Sequence, residues 1–112
     1  MLAKKYRFHS RGGVRFTYQK GKTIRTPKMS LIFNANSRGY QRFAVVISKK
    51  VIKSAVGRNR VRRRVYEAIR SILPEYKEKN DCIFVIYSKD IKEIEFSKLQ
   101  EIIKNLLDQS KK

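Results

Sequence analysis

The segment 48–70 reads SKKVIKSAVGRNRVRRRVYEAIR. It carries nine basic residues: Lys49, Lys50, Lys53, Arg58, Arg60, Arg62, Arg63, Arg64 and Arg70. One acid, Glu67, stands among them. Arginine's planar fork meets phosphate oxygens in pairs and stacks on bases. Asn59, between Arg58 and Arg60, adds a directional donor and acceptor suited to a base edge or a backbone turn. This is chemistry for gripping a polyanion. Chemistry for cleaving one is missing. An autonomous nuclease shows clustered carboxylates for two metals, or a histidine pair. Here no acid precedes Glu67, and His9 is the single histidine. His9 reads as solvent-facing or as an incidental phosphate contact. Cys82 opens an apolar run and reads as a buried thiol. One Cys and one His cannot build a zinc set. Gly12-Gly13 lacks the Lys-Ser/Thr spacing of a nucleotide loop. No catalytic residue and no protein-bound metal is expected.

The charge of the whole chain supports the same partner. The chain has 112 residues, 28 Lys plus Arg against 9 Asp plus Glu, and a net charge of +19. All the acids lie at or after Glu67, so the entire excess sits in residues 1–66. A basic protein that needed only solubility would intersperse its acids. Segregation creates one electropositive region, as a polyanion demands. Nucleic acid is the first candidate and an anionic membrane the second. A membrane helix would need a broad apolar face left free of the core. No run approaches the roughly 18 apolar residues of a membrane span, and no apolar leader opens the chain. The reading is one soluble, unprocessed domain over residues 1–112. The single cysteine fits a reducing cytoplasm.

Elements must position the basic segment. On a helix over 54–73, Val61, Val65, Ala68, Ile69 and Ile72 form one apolar stripe. Asn59, Arg63 and Arg70 then make a file on the opposite side. Arg60 and Arg64 make a second file, and Arg58 and Arg62 flank the stripe. Like charges four apart, as in Arg58–Arg62 and Arg60–Arg64, repel on an isolated helix, and phosphates relieve that. A merely solvated basic face is the bland alternative. Pro74 stops the helix.

Ahead of it, 1–9 reads as an extended basic segment with Tyr6 and Phe8 as anchors. A short helix over 11–20 turns Val14, Tyr18 and Thr17 inward, and Gly21 sits where a helix cap belongs. Residues 29–33 and 42–48 alternate as strands and are expected to pair antiparallel, with 21–28 as an edge strand. After the long helix, 82–88 reads as a central strand. A last helix over 96–107 buries Phe96, Leu99, Ile102, Ile103, Leu106 and Leu107. The fold class is α/β (α+β): a two-layer sandwich in the order helix, strands, helix, strand, helix. Its sheet has about four strands, mostly antiparallel, with helices packed on it.

The run Lys49-Lys50, Ala55-Val56, Arg58-Asn59-Arg60-Val61-Arg62-Arg63, then Glu67-Ala68 and Arg70, resembles the signature of the bacterial ribonuclease P protein family. Arg7-Phe8, and Tyr18 three residues before Gly21, resemble that family's N-terminal segment. Asp81 before an apolar strand, and the Leu-rich last helix, resemble its C-terminal half. The resemblance covers nearly the whole chain. It implies a fold like the second domain of the fifth small-subunit ribosomal protein, with a left-handed crossover between parallel strands. It implies a protein subunit without catalytic groups. The catalytic RNA and its bound Mg²⁺ remove the 5′ leader from precursor tRNA, and no Mg²⁺ site belongs to the protein alone. It places Lys49, Lys50, Lys53 and the cluster from Arg58 to Arg64 near that RNA. It also implies a cleft for the leader, built by the first helix and a sheet face, with Tyr18 at an aromatic position. Where the family often has aromatics, this chain has Val14 and Ile32. Phe16 is a candidate substitute. Ribonuclease P RNA and precursor tRNA are thus the expected partners, with neither membrane nor DNA. A structural RNA binder shares the size and charge but has no reason for the Arg-Asn-Arg context. A DNA-binding module would show a helix-turn-helix or dimer pattern, and none is seen.

Overall fold

The computed structural model describes residues 6, 7 and 11–111. Phe8 and His9 lie outside the described residues. Helix α1 spans Arg11–Lys20, followed by strands β1 (Lys22–Arg25), β2 (Met29–Ala35) and β3 (Arg42–Ile47). Helix α2 spans Ala55–Ile72, β4 spans Asn80–Ile86 and helix α3 spans Phe96–Gln109. Short 3-10 turns at Leu73–Glu75 and Lys89–Lys92 flank β4. Among the described residues, no helix is long and apolar enough to cross a membrane.

The four strands form one mixed sheet in the order β1-β2-β4-β3. β1 is the edge strand expected for 21–28. The pairing expected between the two middle strands does not occur. β4 lies between them, antiparallel to β2 and parallel to β3. The reason is hydrophobic. β4 is apolar on both faces, with Cys82, Ile83 and Phe84 fully buried. A strand like that stabilises the fold most at the centre of a sheet, covered on both sides. Pairing β2 with β3 would have left it at an edge. The chain instead carries β3 past β4 and returns through α2.

Alternation along the strands is as the pattern implies. Met29, Leu31, Phe43, Val45 and Phe84 face α2 and α3 and join the main core. Ile32, Ala44 and Ile83 form a small second cluster on the opposite face, capped by Val14 of α1. Ser54 caps α2, its Oγ accepting from the Gly57 amide at 3.1 Å. All five residues of the apolar stripe are buried. In α3, Leu99, Ile103, Leu106 and Leu107 are core, whereas Ile102 is half-buried and Phe96, at the first position, is exposed.

Two details of α1 differ from the pattern. Thr17 points into the fold as expected, but Tyr18 does not. The Thr17 Oγ1 donates to the Gly13 carbonyl at 3.0 Å, so the buried hydroxyl is satisfied. Tyr18 remains 43% exposed. Gly21 closes the helix by donating to Thr17 O at 2.8 Å, but with ordinary backbone angles. Space is what demands glycine there. A Cβ would lie 2.5 Å from Thr17 O and 2.7 Å from Phe33 O.

Two polar knots tie the layers. Arg42 grips Asp81 through Nε and Nη2, both at 2.8 Å, and Asn36 Nδ2 donates to the same carboxylate at 2.8 Å. In the second knot the buried Tyr76 hydroxyl receives Asn80 Nδ2 at 3.0 Å and lies 2.9 Å from Ser110 Oγ and 3.8 Å from Cys82 Sγ. Burial pushes the Cys82 thiol up to about 12. Burial also drives the Tyr76 phenol well above its ordinary value, helped by Cys82. Both groups hold their protons more tightly folded than unfolded. Stability is therefore complete below about pH 9, and falls above it as the unfolded chain ionises. Urea melts from pH 7 to 11 should show this decline, and Cys82 should resist alkylation at pH 8 until the chain is denatured. Asp81→Ala removes the carboxylate that takes both Arg42 and Asn36 and should cost about 3 kcal/mol in the same melts.

Candidate RNA-binding surface

Helix α2 presents its arginines in two ways. Arg58 Nη1 donates to the carbonyls of Ile52 and Lys53, each at 2.9 Å. Arg64 Nη1 donates to Ile91 O at 2.7 Å, and its Nη2 to Ile94 O. These two fasten α2 to the loop before it and to the 3-10 turn after β4. Arg62 Nη1 donates to Asn59 Oδ1 at 3.0 Å, which fixes the asparagine's amide. Arg70 pairs with Glu67 at 3.3 Å, near the far end of the helix. Arg60 and Arg63 are exposed and make no hydrogen bond or ion pair among the described residues. The first turn of α2 has no acid, so its positive end adds to the arginine field.

A groove of about 1230 Å³ runs between α1 and α2 along the edge of β3. Val14, Ala44, Val46 and Val56 give it apolar wall and floor. Tyr18 and Tyr66 add ring surface, and Arg7, Arg15, Arg62 and Arg63 line it with positive charge. No acid lines it. Arg7 Nε is buried there with no hydrogen-bond partner among the described residues. Partial burial raises the Tyr18 phenol, and burial raises that of Tyr66, opposed by the charges of Arg7 and Arg62. Both hydroxyls stay protonated at neutral pH and can donate.

Of the residues singled out from sequence, the structure brings Val14, Tyr18, Asn59, Arg62 and Arg63 together in this groove. Ile32 lies buried beneath, against Ala44 and Ile83. Phe16 does not line it and is 55% exposed. Lys50 and Lys53 border a separate hollow with Lys89 and Lys92. Arg15 and Tyr66 were not singled out, and Val56 entered only as part of the signature run. Tyr66 was within reach, since it adjoins the apolar stripe and pairs a ring with a polar tip. Arg15 gave no signal beyond its charge.

The fold and groove stand beside a direct comparison. The Ribonuclease P family model matches residues 2–111. The chain belongs to the ribonuclease P protein family. The ribonuclease P protein component of Chloroflexus aurantiacus is 34% identical over 109 residues, covering 97% of this chain and 80% of the relative. That of Thermoanaerobacter pseudethanolicus is 36% identical over 90 residues, 80% of this chain and 76% of the relative. The structure of the ribonuclease P protein from Thermotoga maritima superimposes with a TM-score of 0.83 at 23% identity, over 92% of this chain and 96% of that one. The Staphylococcus aureus protein gives 0.80 at 20%, over 95% of each chain. These two share the fold. Family membership places the chain among RNA-binding proteins of tRNA processing.

The division among the arginines is testable by stability alone. Arg64→Ala removes two charged hydrogen bonds to backbone carbonyls and should cost about 2 kcal/mol. It should also speed amide exchange across 89–94. Arg60→Ala, on an exposed site, should stay within about 0.5 kcal/mol of wild type.

Proposed function

We propose that this chain is the protein subunit of a ribonuclease P ribonucleoprotein that frees the mature 5′ end of tRNA. In this reading the catalytic RNA performs the cleavage with Mg²⁺ that the RNA mainly holds. The protein contributes charge and grip. The exposed Arg60 and Arg63, with Lys49, Lys50 and Lys53, meet phosphates of the catalytic RNA, and Asn59, Arg58, Arg62, Arg64 and Arg70 shape or extend that surface. Neutralising those phosphates lowers the Mg²⁺ needed to bring RNA strands together. The groove holds the 5′ leader of precursor tRNA as a single strand, its bases against Val14, Tyr18 and Val46 and its phosphates toward Arg7, Arg15, Arg62 and Arg63. Ile32 supports the floor from below. Phe16, on the outside of α1, has no part in that grip. A substrate held by its leader is distinguished from the mature product, which lacks one.

The observation that carries the reading is the groove itself, which joins apolar and aromatic surface to four arginines with no acid. Single-stranded nucleic acid needs both, stacking for bases and cations for the backbone. A structural RNA-binding role would need the charge but no such groove.

Reconstitution with a bacterial ribonuclease P RNA tests this directly. Precursor tRNA should be processed at low Mg²⁺ only when both components are present. Tight RNA binding without rescue, also with RNA from the matching organism, would favour the structural role. Changing Arg60 and Arg63 together to Ala should weaken binding to the RNA and reduce the slope of log K against log salt by roughly 1 to 2. Tyr18→Ala should weaken leader-bearing substrate by about 1–3 kcal/mol and leave mature tRNA unaffected; equal loss for both would remove Tyr18 from the leader site.

A further inference from the structure

The groove occupies one part of the second sheet face, and Tyr87 stands on another. Side chains alternate across a strand. Ile83 and Val85 point to the second face, so Tyr87, next in that alternation, does too. Its amide donates to Lys28 O at 3.2 Å and prolongs the ladder between β2 and β4. Its hydroxyl donates to the Thr26 carbonyl and lies 3.0 Å from Ser30 Oγ. The ring is thus held by its tip to the turn between β1 and β2. Yet the residue is 41% exposed and belongs to neither core cluster.

A tyrosine fixed at its hydroxyl, with ring surface open, has little rotamer freedom left to lose when something stacks on it. Its surroundings are basic. Arg25 lies opposite Ser30 in the register, and Lys28 and Lys89 adjoin the same corner. Lys49 and Lys50 follow β3, whose last residue pairs with Ile86. Asp90 at this corner is bound to Lys28 at 2.6 Å, and Glu93 lines the adjoining hollow with Lys50 and Lys89. Val46, on the groove floor, is paired with Val85. Two residues along β4 put Tyr87 about 8 Å from Val46, from strand rise and spacing.

We propose that Tyr87 is a second base-stacking platform, which continues the single-stranded RNA site from the groove across the open sheet face. This rests on the leader-groove reading above and extends it. The ligand class is an unstructured RNA strand, recognised by the π-face of a base at Tyr87 and by its phosphates at Arg25 and Lys28. It gives the chain a stacking ring on the same face where Val14 and Ile32 supply only aliphatic surface.

The test uses the full chain and oligouridine carrying one 2-aminopurine, moved stepwise along the strand. Tyr87→Phe and Tyr87→Leu both lose the hydroxyl brace and differ only in the ring. Tyr87→Leu should weaken binding about 5- to 100-fold and abolish the 2-aminopurine response at one position, while Tyr87→Phe, which keeps the ring and loses only the brace, should fall between Leu and wild type and retain that response. Equal affinities for Leu and Phe would overturn the proposal. In the wild-type protein, the Tyr87 ring protons should shift on adding the same strand, and unmoved resonances would overturn it without any variant. If Tyr18→Ala loses binding and Tyr87→Leu does not, the groove reading stands and the extension fails. If the wild-type chain does not bind the strand at all, both fail.

Discussion

The Asp81 carboxylate is the joint on which the arrangement depends. It takes Arg42 from the start of β3 and Asn36 from the connection that leads there. Both ionic side chains are largely shielded from water, at 13% and 14% exposure. A pair so placed interacts in a lower dielectric than a surface pair, and its geometry is bidentate. It sits where the chain passes from β2 to β3 around the end of β4. With β3 held outside β4, helix α2 must leave from the sheet's edge and return to its centre. That route sets the arginine-bearing flank of α2 above the exposed edge of β3, and the groove is the space that results.

The arginines then divide by what lies within reach. Arg58 and Arg64 meet carbonyl groups of neighbouring segments and act as fasteners. Arg60 and Arg63 make no hydrogen bond or ion pair among the described residues, and their repulsion is left for a partner to relieve. The main core lies against the opposite flank of α2, so this electrostatic strain stays on the surface. The protein can thus fold around Leu, Ile and Phe contacts while keeping a face that is satisfied only by phosphates.

The second sheet face follows a different economy of contacts. Helix α1 covers only its middle, over Ile32, Ala44 and Ile83. Val46 and Val85 are left half-buried beside it, and the rings of Tyr18 and Tyr87 stay open. A fully covered face would be more stable, because each buried apolar group adds to the hydrophobic term. Incomplete coverage beside cations is what makes this face a surface for bases.

Much of this was legible in the residues alone. The apolar stripe of α2, the alternation in β2 and β3, the place of β1 and the segregation of charge are local patterns. Helix and strand periodicity fix which side of each element is buried, whatever the element packs against. Family membership was legible from the Arg-Asn-Arg run and its context. The sheet order was not, because pairing is a competition among strands distant in sequence, and β4 won the centre through apolar burial on both faces. Nor was the exposure of Tyr18, which depends on how closely α1 approaches the sheet. The separate fates of Arg60 and Arg64 were hidden too. On a bare helix they are equivalent, and only carbonyls about 30 residues downstream in the chain distinguish them. The sequence by itself determined what each element could bury and where the charge would lie. The tertiary structure decided which charges remained for a partner, because that depends on neighbours brought together only by folding.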